Sequence, residues 1–274
     1  MTPVSPTHWP KGVPTSLRVP QVPLTHYVQT AAERYPDKPA VVFGGATLTY
    51  AALWRRVCAL AGHLQQRLGV APGDRVLLIS QNCPQFLVAC YGIQRAGAAV
   101  VPVNPMSTAD ELRYYASNSG ATVAIVAQEL LAPVQACVED GLLRHALVLA
   151  YSDALAGTGT VDADLPAVVT EPRHALPGPA FGALEDAIAQ DLRPTTGHPH
   201  VDDLAVMPYT SGTTGHPKGC MHTHRSVMYN TVAGTQWIGT PLDGVSLAVL
   251  PLFHVTGMQN GMNGTLFVGA TVVL

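Results

Sequence analysis

Strand-like hydrophobic runs alternate with helical stretches through the first half of the sequence, and this alternation constrains the fold more than any other feature. The runs are residues 40–43, 75–80, 98–103, 122–127 and 146–149. The helical stretches, in which apolar residues recur every three or four positions, are residues 24–35, 49–68, 84–96, 108–118 and 130–139. Strands joined by helices of this length run parallel and need helices on both faces. The sequence therefore predicts an α/β fold with mostly parallel sheets sandwiched by helices.

The same pattern predicts four segments along the chain. Residues 1–23 are rich in proline and are expected to form an extended arm. Residues 24–150 form a first α/β subdomain, and residues 151–200, rich in Gly, Pro, Asp and Thr, form a connecting segment with one short helix at 184–189. Residues 201–274 are expected to begin a second, incomplete α/β subdomain, with strands at 204–209, 246–250 and 271–274 and helices at 224–237 and 257–267.

Two threonines are predicted to start helices. Thr49 precedes the apolar repeat that begins at Leu53. Thr108 and Glu111 have the spacing of a capping box, in which the threonine side chain accepts from the Glu111 amide and the glutamate side chain accepts in return.

The composition excludes several classes of protein. The net charge of −3 and the lack of a basic cluster give no electrostatic basis for binding nucleic acid. No stretch approaches the ~18 apolar residues of a transmembrane helix, and the first residues lack the apolar core of a signal peptide. The five cysteines form no Cys-x-x-Cys pair and indicate reduced thiols. We therefore expect a cytoplasmic protein without a transmembrane segment.

One loop carries most of the chemical information. Residues 209–219 read Tyr-Thr-Ser-Gly-Thr-Thr-Gly-His-Pro-Lys-Gly and lie between a predicted strand and a predicted helix. Backbone amides at such a turn can converge on an anion, and hydroxyls and a lysine can bind phosphate oxygens. Charge-assisted bonds of this kind contribute about 1.5–3 kcal/mol each. A solvated Ser/Thr/Gly turn is the alternative, and the density of such residues here favours phosphate binding. The spacing is not that of a Walker A loop.

The loop resembles the signature of the adenylate-forming superfamily, which includes acyl-CoA synthetases, peptide-synthetase adenylation domains and luciferases. Three further segments resemble motifs of that superfamily in the same order: residues 48–53, residues 95–105 and residues 250–257. The resemblance covers residues 24–274, with residues 151–200 uninformative. Within the superfamily, the segment at residues 250–258 resembles ligases of fatty and medium-chain acids more than amino-acid-activating domains. The resemblance therefore implies an acyl-CoA synthetase, of the long-chain fatty acid type.

The resemblance implies the substrates and the residues that bind them. A carboxylic acid attacks the α-phosphate of ATP, and the acyl group of the resulting acyl-adenylate passes to coenzyme A. ATP would be bound by Thr210, Ser211, Gly212, Thr213, Thr214, Gly215, Pro217 and Lys218, and Thr210 would also contact Mg²⁺. His254 is the implied catalytic residue at the mouth of the acyl pocket, near Gly257 and Met258. A core histidine is the alternative reading of His254, and packing is the alternative for its two neighbours.

Two histidine-rich stretches suggest a different site. His222-Thr223-His224, near His216 and Cys220, and His198-Pro199-His200 could in principle hold zinc, but their spacing matches no usual zinc site. We therefore expect no zinc there.

The resemblance also implies that part of the enzyme is missing. Family members are about twice this length and carry a Tyr-Gly-x-Thr-Glu motif, a Thr-Gly-Asp motif and a C-terminal lid domain with a catalytic lysine, none of which this sequence contains. We expect an N-terminal piece of such an enzyme, inactive alone and prone to self-association through an exposed final strand. The alternatives are a non-catalytic protein that binds nucleotide or acyl groups, a fragment without function, and an enzyme acting on aryl or other small acids.

Overall fold

The computed structural model describes residues 9–210 and 215–274. Its strands are β1 (Pro39–Phe43), β2 (Ala46–Thr49), β3 (Arg75–Ile79), β4 (Ala99–Pro102), β5 (Val123–Ala127), β6 (His145–Leu149), β7 (Phe181–Ala183), β8 (Leu204–Val206), β9 (Tyr209–Thr210), β10 (Lys218–Gly219), β11 (His222–Thr223), β12 (Val245–Leu247) and β13 (Thr271–Val273). Its α-helices are α1 (Leu24–Arg34), α2 (Tyr50–Gln66), α3 (Pro84–Arg95), α4 (Ala109–Ser119), α5 (Leu131–Glu139), α6 (Ala167–Thr170), α7 (Leu184–Ala189), α8 (His224–Ile238) and α9 (Gly264–Phe267). A π-helix, Gly257–Asn263, leads directly into α9.

The larger sheet has the strand order β11-β8-β4-β3-β5-β6-β7 and is parallel except for β11. Alternate residues of β3 face opposite layers: Val76 and Leu78 pack with α2 and α3, whereas Leu77 and Ile79 pack with α4 and α5. All four side chains are buried, as expected for a parallel strand covered on both faces. The predicted α/β class, with sheets sandwiched by helices, is confirmed.

The smaller sheet joins the two ends of the described chain, in the order β12-β13-β1-β2. Strands β1 and β2 form a hairpin around Gly44 and Gly45, whose φ angles of +52° and +80° suit glycine. Strand β13 then pairs in parallel with both β1 and β12. The prediction that the final strand is an exposed sheet edge is therefore wrong, because β13 is enclosed by its two neighbours and Val272 is fully buried.

Both predicted helix starts are confirmed. The Thr49 side chain accepts a hydrogen bond from the Ala52 amide, and Thr108 forms the reciprocal capping box with Glu111. Because these caps satisfy backbone amides that a helix leaves unpaired, they fix where α2 and α4 begin.

The connecting residues 151–200 contain more structure than the predicted single helix. Strand β7 pairs with β6 and extends the larger sheet by one strand, and the predicted helix is α7. Residues 9–23 contain neither helix nor strand, and Leu17, Val19 and Val22 lie against the core. Both sheets combine strands from before and after the connecting residues. The predicted domain boundaries therefore stay a prediction. In the described ranges, every helix is too short or too polar to span a membrane.

Candidate active site

A small hairpin carries the residues on either side of the phosphate-loop sequence. Strands β9 and β10 pair antiparallel, with Thr210 opposite Lys218 at the base of the loop. Gly215 has a φ of +97°, a backbone conformation that would be strained in a residue with a side chain. Of the residues predicted to bind ATP, Thr210, Gly215, Pro217 and Lys218 are described, and Ser211, Gly212, Thr213 and Thr214 lie outside the described residues.

Helix α8 does not follow the loop directly. Two short strands, β10 and β11, intervene, and the helix starts at His224 with Thr223 as its cap. The chain stays extended after the loop because the Cys220 amide donates to the Pro208 carbonyl oxygen at 2.8 Å, which continues the hairpin ladder. The loop is therefore supported by strands on both sides rather than by a helix N-terminus.

Aromatic residues hold both arms of this hairpin against helix α4. The Tyr114 hydroxyl donates to the Pro217 carbonyl oxygen at 2.8 Å, and the Tyr114 ring stacks on His216 with centroids 5.1 Å apart. The Tyr209 hydroxyl donates to Asn118 Oδ1 at 2.6 Å. Burial raises the pKa of Tyr209 to about 12, so this phenol stays a donor at neutral pH. Helix α4 thus fixes the position of the loop base, a role that the sequence analysis did not assign to it.

A cavity of about 540 Å³ opens beside the loop base and is called the loop cavity here. Its wall includes Thr210, His222, His254 and Val255, so the structure brings the predicted loop and the predicted catalytic histidine to one cavity. His254 is exposed, and its Nδ1 accepts from the Thr256 amide at 3.2 Å. An accepting Nδ1 assigns the proton of the neutral ring to Nε2. His254 is therefore not a core histidine.

A second cavity of about 640 Å³, the apolar cavity, lies between α8 and the π-helix. Apolar side chains dominate its wall, among them Val206, Val227, Trp237, Ile238 and Met258. His222 and Val255 line this cavity as well as the loop cavity, so the two spaces adjoin. Of the two residues predicted near the acyl pocket, Met258 lines this cavity. Gly257 instead packs against the Pro251 carbonyl, where an added Cβ would lie 2.1 Å from the oxygen.

Asn82 holds the segment that carries His254. Its Nδ2 donates to the carbonyl oxygens of Ala248 and Leu250 at 2.9 and 3.0 Å, and its Oδ1 accepts from the Leu252 amide at 2.8 Å. These bonds connect the start of α3 to residues 248–252, which lie about 170 residues later in the sequence. The sequence analysis missed Asn82, because nothing in its local pattern points to so distant a partner.

The charge at the site comes from few groups. Lys218 is exposed at the loop base, and neither cavity has an Asp or Glu among its described lining residues. Across residues 9–210 and 215–274, no three His, Cys, Asp or Glu side chains are grouped as metal ligands would be. His222 lines the two cavities, whereas His224 is buried at the start of α8.

Comparison with known proteins identifies relatives over most of the chain. The family described as AMP-binding enzyme matches residues 28–274. A long-chain-fatty-acid–CoA ligase of Salmonella typhimurium is 35% identical over 269 residues, which are 95% of this chain and 47% of the relative. A feruloyl-CoA synthase of an Amycolatopsis species is 33% identical over 243 residues, covering 89% of this chain and 42% of the relative.

The fold has matching solved structures. A long-chain-fatty-acid–CoA ligase from Archaeoglobus fulgidus superposes with a TM-score of 0.75 at 23% identity, covering 97% of this chain and 49% of the other. The chain spans about half the length of the curated relatives it matches. Since the family match extends over most of the sequence, the chain belongs to the AMP-binding enzyme family.

Proposed function

We propose that this chain supplies the ATP loop and the acyl cavity of an AMP-forming acid–thiol ligase. The enzyme would convert a carboxylic acid, chiefly a fatty acid, to an acyl-adenylate and then to acyl-CoA. The observation that carries the proposal is the shared wall of the two cavities, formed by His222 and Val255. An apolar acid in the apolar cavity would have its carboxylate beside the loop, where a nucleotide phosphate would lie.

The loop would bind and orient ATP. Lys218, across the hairpin from Thr210, would supply a positive charge for the phosphates. Backbone amides of a glycine-rich loop can also bind phosphate oxygens. We propose that Ser211, Gly212, Thr213, Thr214, Gly215 and Pro217 complete the phosphate contacts. This positioning, with neutralisation of phosphate charge, is what the chain contributes to the reaction.

Mg²⁺ fits this site only as a companion of ATP. The Thr210 hydroxyl is exposed at the loop base and offers one oxygen ligand, and the described lining of the loop cavity adds no carboxylate. Mg²⁺ commonly takes its other ligands from substrate phosphates and water. Bound in this way, the ion would neutralise phosphate charge; Thr210 would hold it in place.

His254, which lines the loop cavity next to the shared residue Val255, would orient the acid. Its Nε2–H is a hydrogen-bond donor, since Nδ1 is occupied by the Thr256 amide. A donor at this point can hold the carboxylate toward the loop while the apolar part of the acid stays in the apolar cavity. We assign His254 this catalytic role.

The size of the apolar cavity supports an apolar acid of medium to long chain. The cavity of about 640 Å³ lies in the range of small-molecule sites, ~300–1,000 Å³. Aryl acids are the alternative substrates. The aromatic wall residue Trp237 and the similarity to a feruloyl-CoA synthase both support this alternative.

ATP–pyrophosphate exchange over a panel of fatty and aryl acids tests the proposal. The complete gene product that includes residues 1–274 should exchange pyrophosphate only with acid present and should form acyl-CoA when coenzyme A is added. Lys218→Ala should weaken ATP binding roughly tenfold or more, and Lys38→Ala, which removes a lysine far from the loop in sequence, should not. ATP or acyl binding with no exchange on any acid would instead identify a non-catalytic binding protein.

Three further expectations belong to this proposal. The isolated 274-residue chain should not turn over, because it lacks the Tyr-Gly-x-Thr-Glu and Thr-Gly-Asp motifs that the resemblance requires. The protein should be found in the cytoplasm. Self-association should use the edge at β12, where Val245, Leu247 and Val249 are exposed, and should appear as a concentration-dependent sedimentation coefficient.

A further inference from the structure

Polar side chains interrupt the wall of the apolar cavity, and Gln259 is the one whose amide oxygen is bonded within a buried network. Gln259, on the π-helix, is half-buried and lines the cavity together with Val227, Trp237 and Met258. An amide in such a wall weakens the binding of a purely apolar ligand unless something pairs with it. Its hydrogen bonds show which of its groups is available.

A buried hydrogen-bond network fixes the oxygen of this amide. Gln259 Oε1 accepts from Asn263 Nδ2 at 3.1 Å. It also lies 3.2 Å from the Thr231 hydroxyl, whose one proton has the Val227 carbonyl oxygen as a second acceptor at 3.0 Å. Asn263 Oδ1 in turn lies 2.9 Å from the Tyr27 hydroxyl and 2.8 Å from the Tyr91 hydroxyl. The two phenol oxygens are 2.8 Å apart. The network therefore connects α1 and α3 to the cavity wall.

The two tyrosines determine the direction of the network. Burial raises the pKa of Tyr27 and of Tyr91 well above the usual value, so both phenols are protonated and must donate. Both can donate to Asn263 Oδ1. If the Asn263 amide were reversed, its Nδ2 would donate to both phenols, and one phenol proton would lack an acceptor in this buried cluster. Asn263 Nδ2 therefore points to Gln259, whose Oε1 must accept.

With Oε1 occupied, Nε2 is the group of Gln259 that remains available as a donor to a ligand in the cavity that this residue lines. Within residues 9–210 and 215–274, this Nε2 has no hydrogen-bond partner. We infer that Gln259 is a specificity residue that selects acids whose apolar body carries a hydrogen-bond-accepting oxygen, such as a hydroxyl, ether or carbonyl group. This inference rests on the proposed function of the same cavity.

Matched acids test the inference in the complete gene product. The panel pairs dodecanoic acid with its hydroxy isomers along the chain, and 3-phenylpropanoic acid with its ring-hydroxylated forms. The wild-type protein should give at least one hydroxylated acid a kcat/KM roughly tenfold above that of its unsubstituted partner. Gln259→Met keeps the length of the side chain but removes the donor, and should reduce this ratio to about one.

Two further variants separate specificity from packing. Gln259→Glu keeps the shape and the accepting oxygen but replaces the donating amide nitrogen, so it should also lose the preference. Gln135→Met makes the same change as the first variant on the surface helix α5, where Gln135 contacts Glu139, and should keep the wild-type ratio.

The outcomes distinguish the two levels of the proposal. A wild-type enzyme that activates acids without preferring any oxygenated member, or a preference that survives both Gln259 variants, overturns the inference and leaves the proposed function standing. Failure of the wild-type protein to activate any acid overturns both.

Discussion

Lowering the pH should destabilise the fold through His224, which is fully buried where α8 begins. Its Nδ1 accepts from the Leu24 amide at 3.3 Å, which ties the first turn of α1 to α8. Its Nε2 is buried without a partner in the described part of the chain. Burial lowers the pKa of His224 from 6.5 to about 4, although the nearby Asp203 carboxylate opposes the shift. Protonation would also turn the accepting Nδ1 into a donor facing another donor.

The size of the effect follows from proton linkage. Because the folded-state pKa is depressed, the unfolded state binds more protons below pH 6.5, so stability falls as the pH drops from about 6.5 to about 4 and then levels off. The full shift corresponds to about 3 kcal/mol, and about 2 kcal/mol of it should be lost between pH 7.5 and pH 5.

Urea unfolding followed by tryptophan fluorescence at pH 7.5, 6, 5 and 4.5 measures this loss. His224→Asn keeps an accepting oxygen near the position of Nδ1 and removes the titrating group. The free-energy difference between wild type and this variant should therefore shrink by about 2 kcal/mol from pH 7.5 to pH 5. His26→Asn, at an exposed histidine of α1, should retain the wild-type pH slope. Parallel pH profiles for wild type and His224→Asn would refute the reasoning.

Three more substitutions test contacts described above. Asn82→Ala removes the bonds to residues 248–252, so it should destabilise the fold by about 1–3 kcal/mol. Because these bonds hold the segment that carries His254, the KM for the acid should also rise. Asn82→Asp keeps the accepting oxygen and should recover part of the loss, and an unchanged KM in the alanine variant would contradict the assigned role. Gly257→Ala places a methyl group 2.1 Å from the Pro251 carbonyl oxygen and should lower the unfolding free energy in urea by about 1–3 kcal/mol. A change below ~0.5 kcal/mol would show that the backbone moves to accommodate the methyl group. Thr108→Ala removes the cap of α4 and should lower the unfolding free energy by about 1 kcal/mol, while Thr108→Ser should retain most of it; equal losses in both variants would exclude capping as the cause.

The sequence predicted the features that depend on neighbouring residues. The parallel sheet followed from hydrophobic periodicity, and the capping pair Thr108 and Glu111 from its spacing. The phosphate loop was predicted from its own residues and His254 from its surrounding motif, and the roles of both stay predictions.

The features that the sequence did not predict depend on contacts between distant residues. The pairing of β13 with β1 and the bonds from Asn82 to Leu252 have no local signature, because the partners lie far apart in the chain. The short strands β10 and β11 were missed because two extended residues are too few to show a period. The hydrogen bonds of Gln259 become visible only when α1, α3 and the π-helix are packed together.

The smaller sheet sets an order of events during synthesis. The hairpin β1–β2 emerges early, but its parallel partner is β13, more than 200 residues later. At ~5–20 residues per second, the ribosome needs tens of seconds to deliver that partner. During this interval Val41, which pairs with Val272 in the finished sheet, has no strand beside it on that side. The nascent hairpin therefore keeps an unpaired strand edge, open to association with other chains, until translation has delivered Val273.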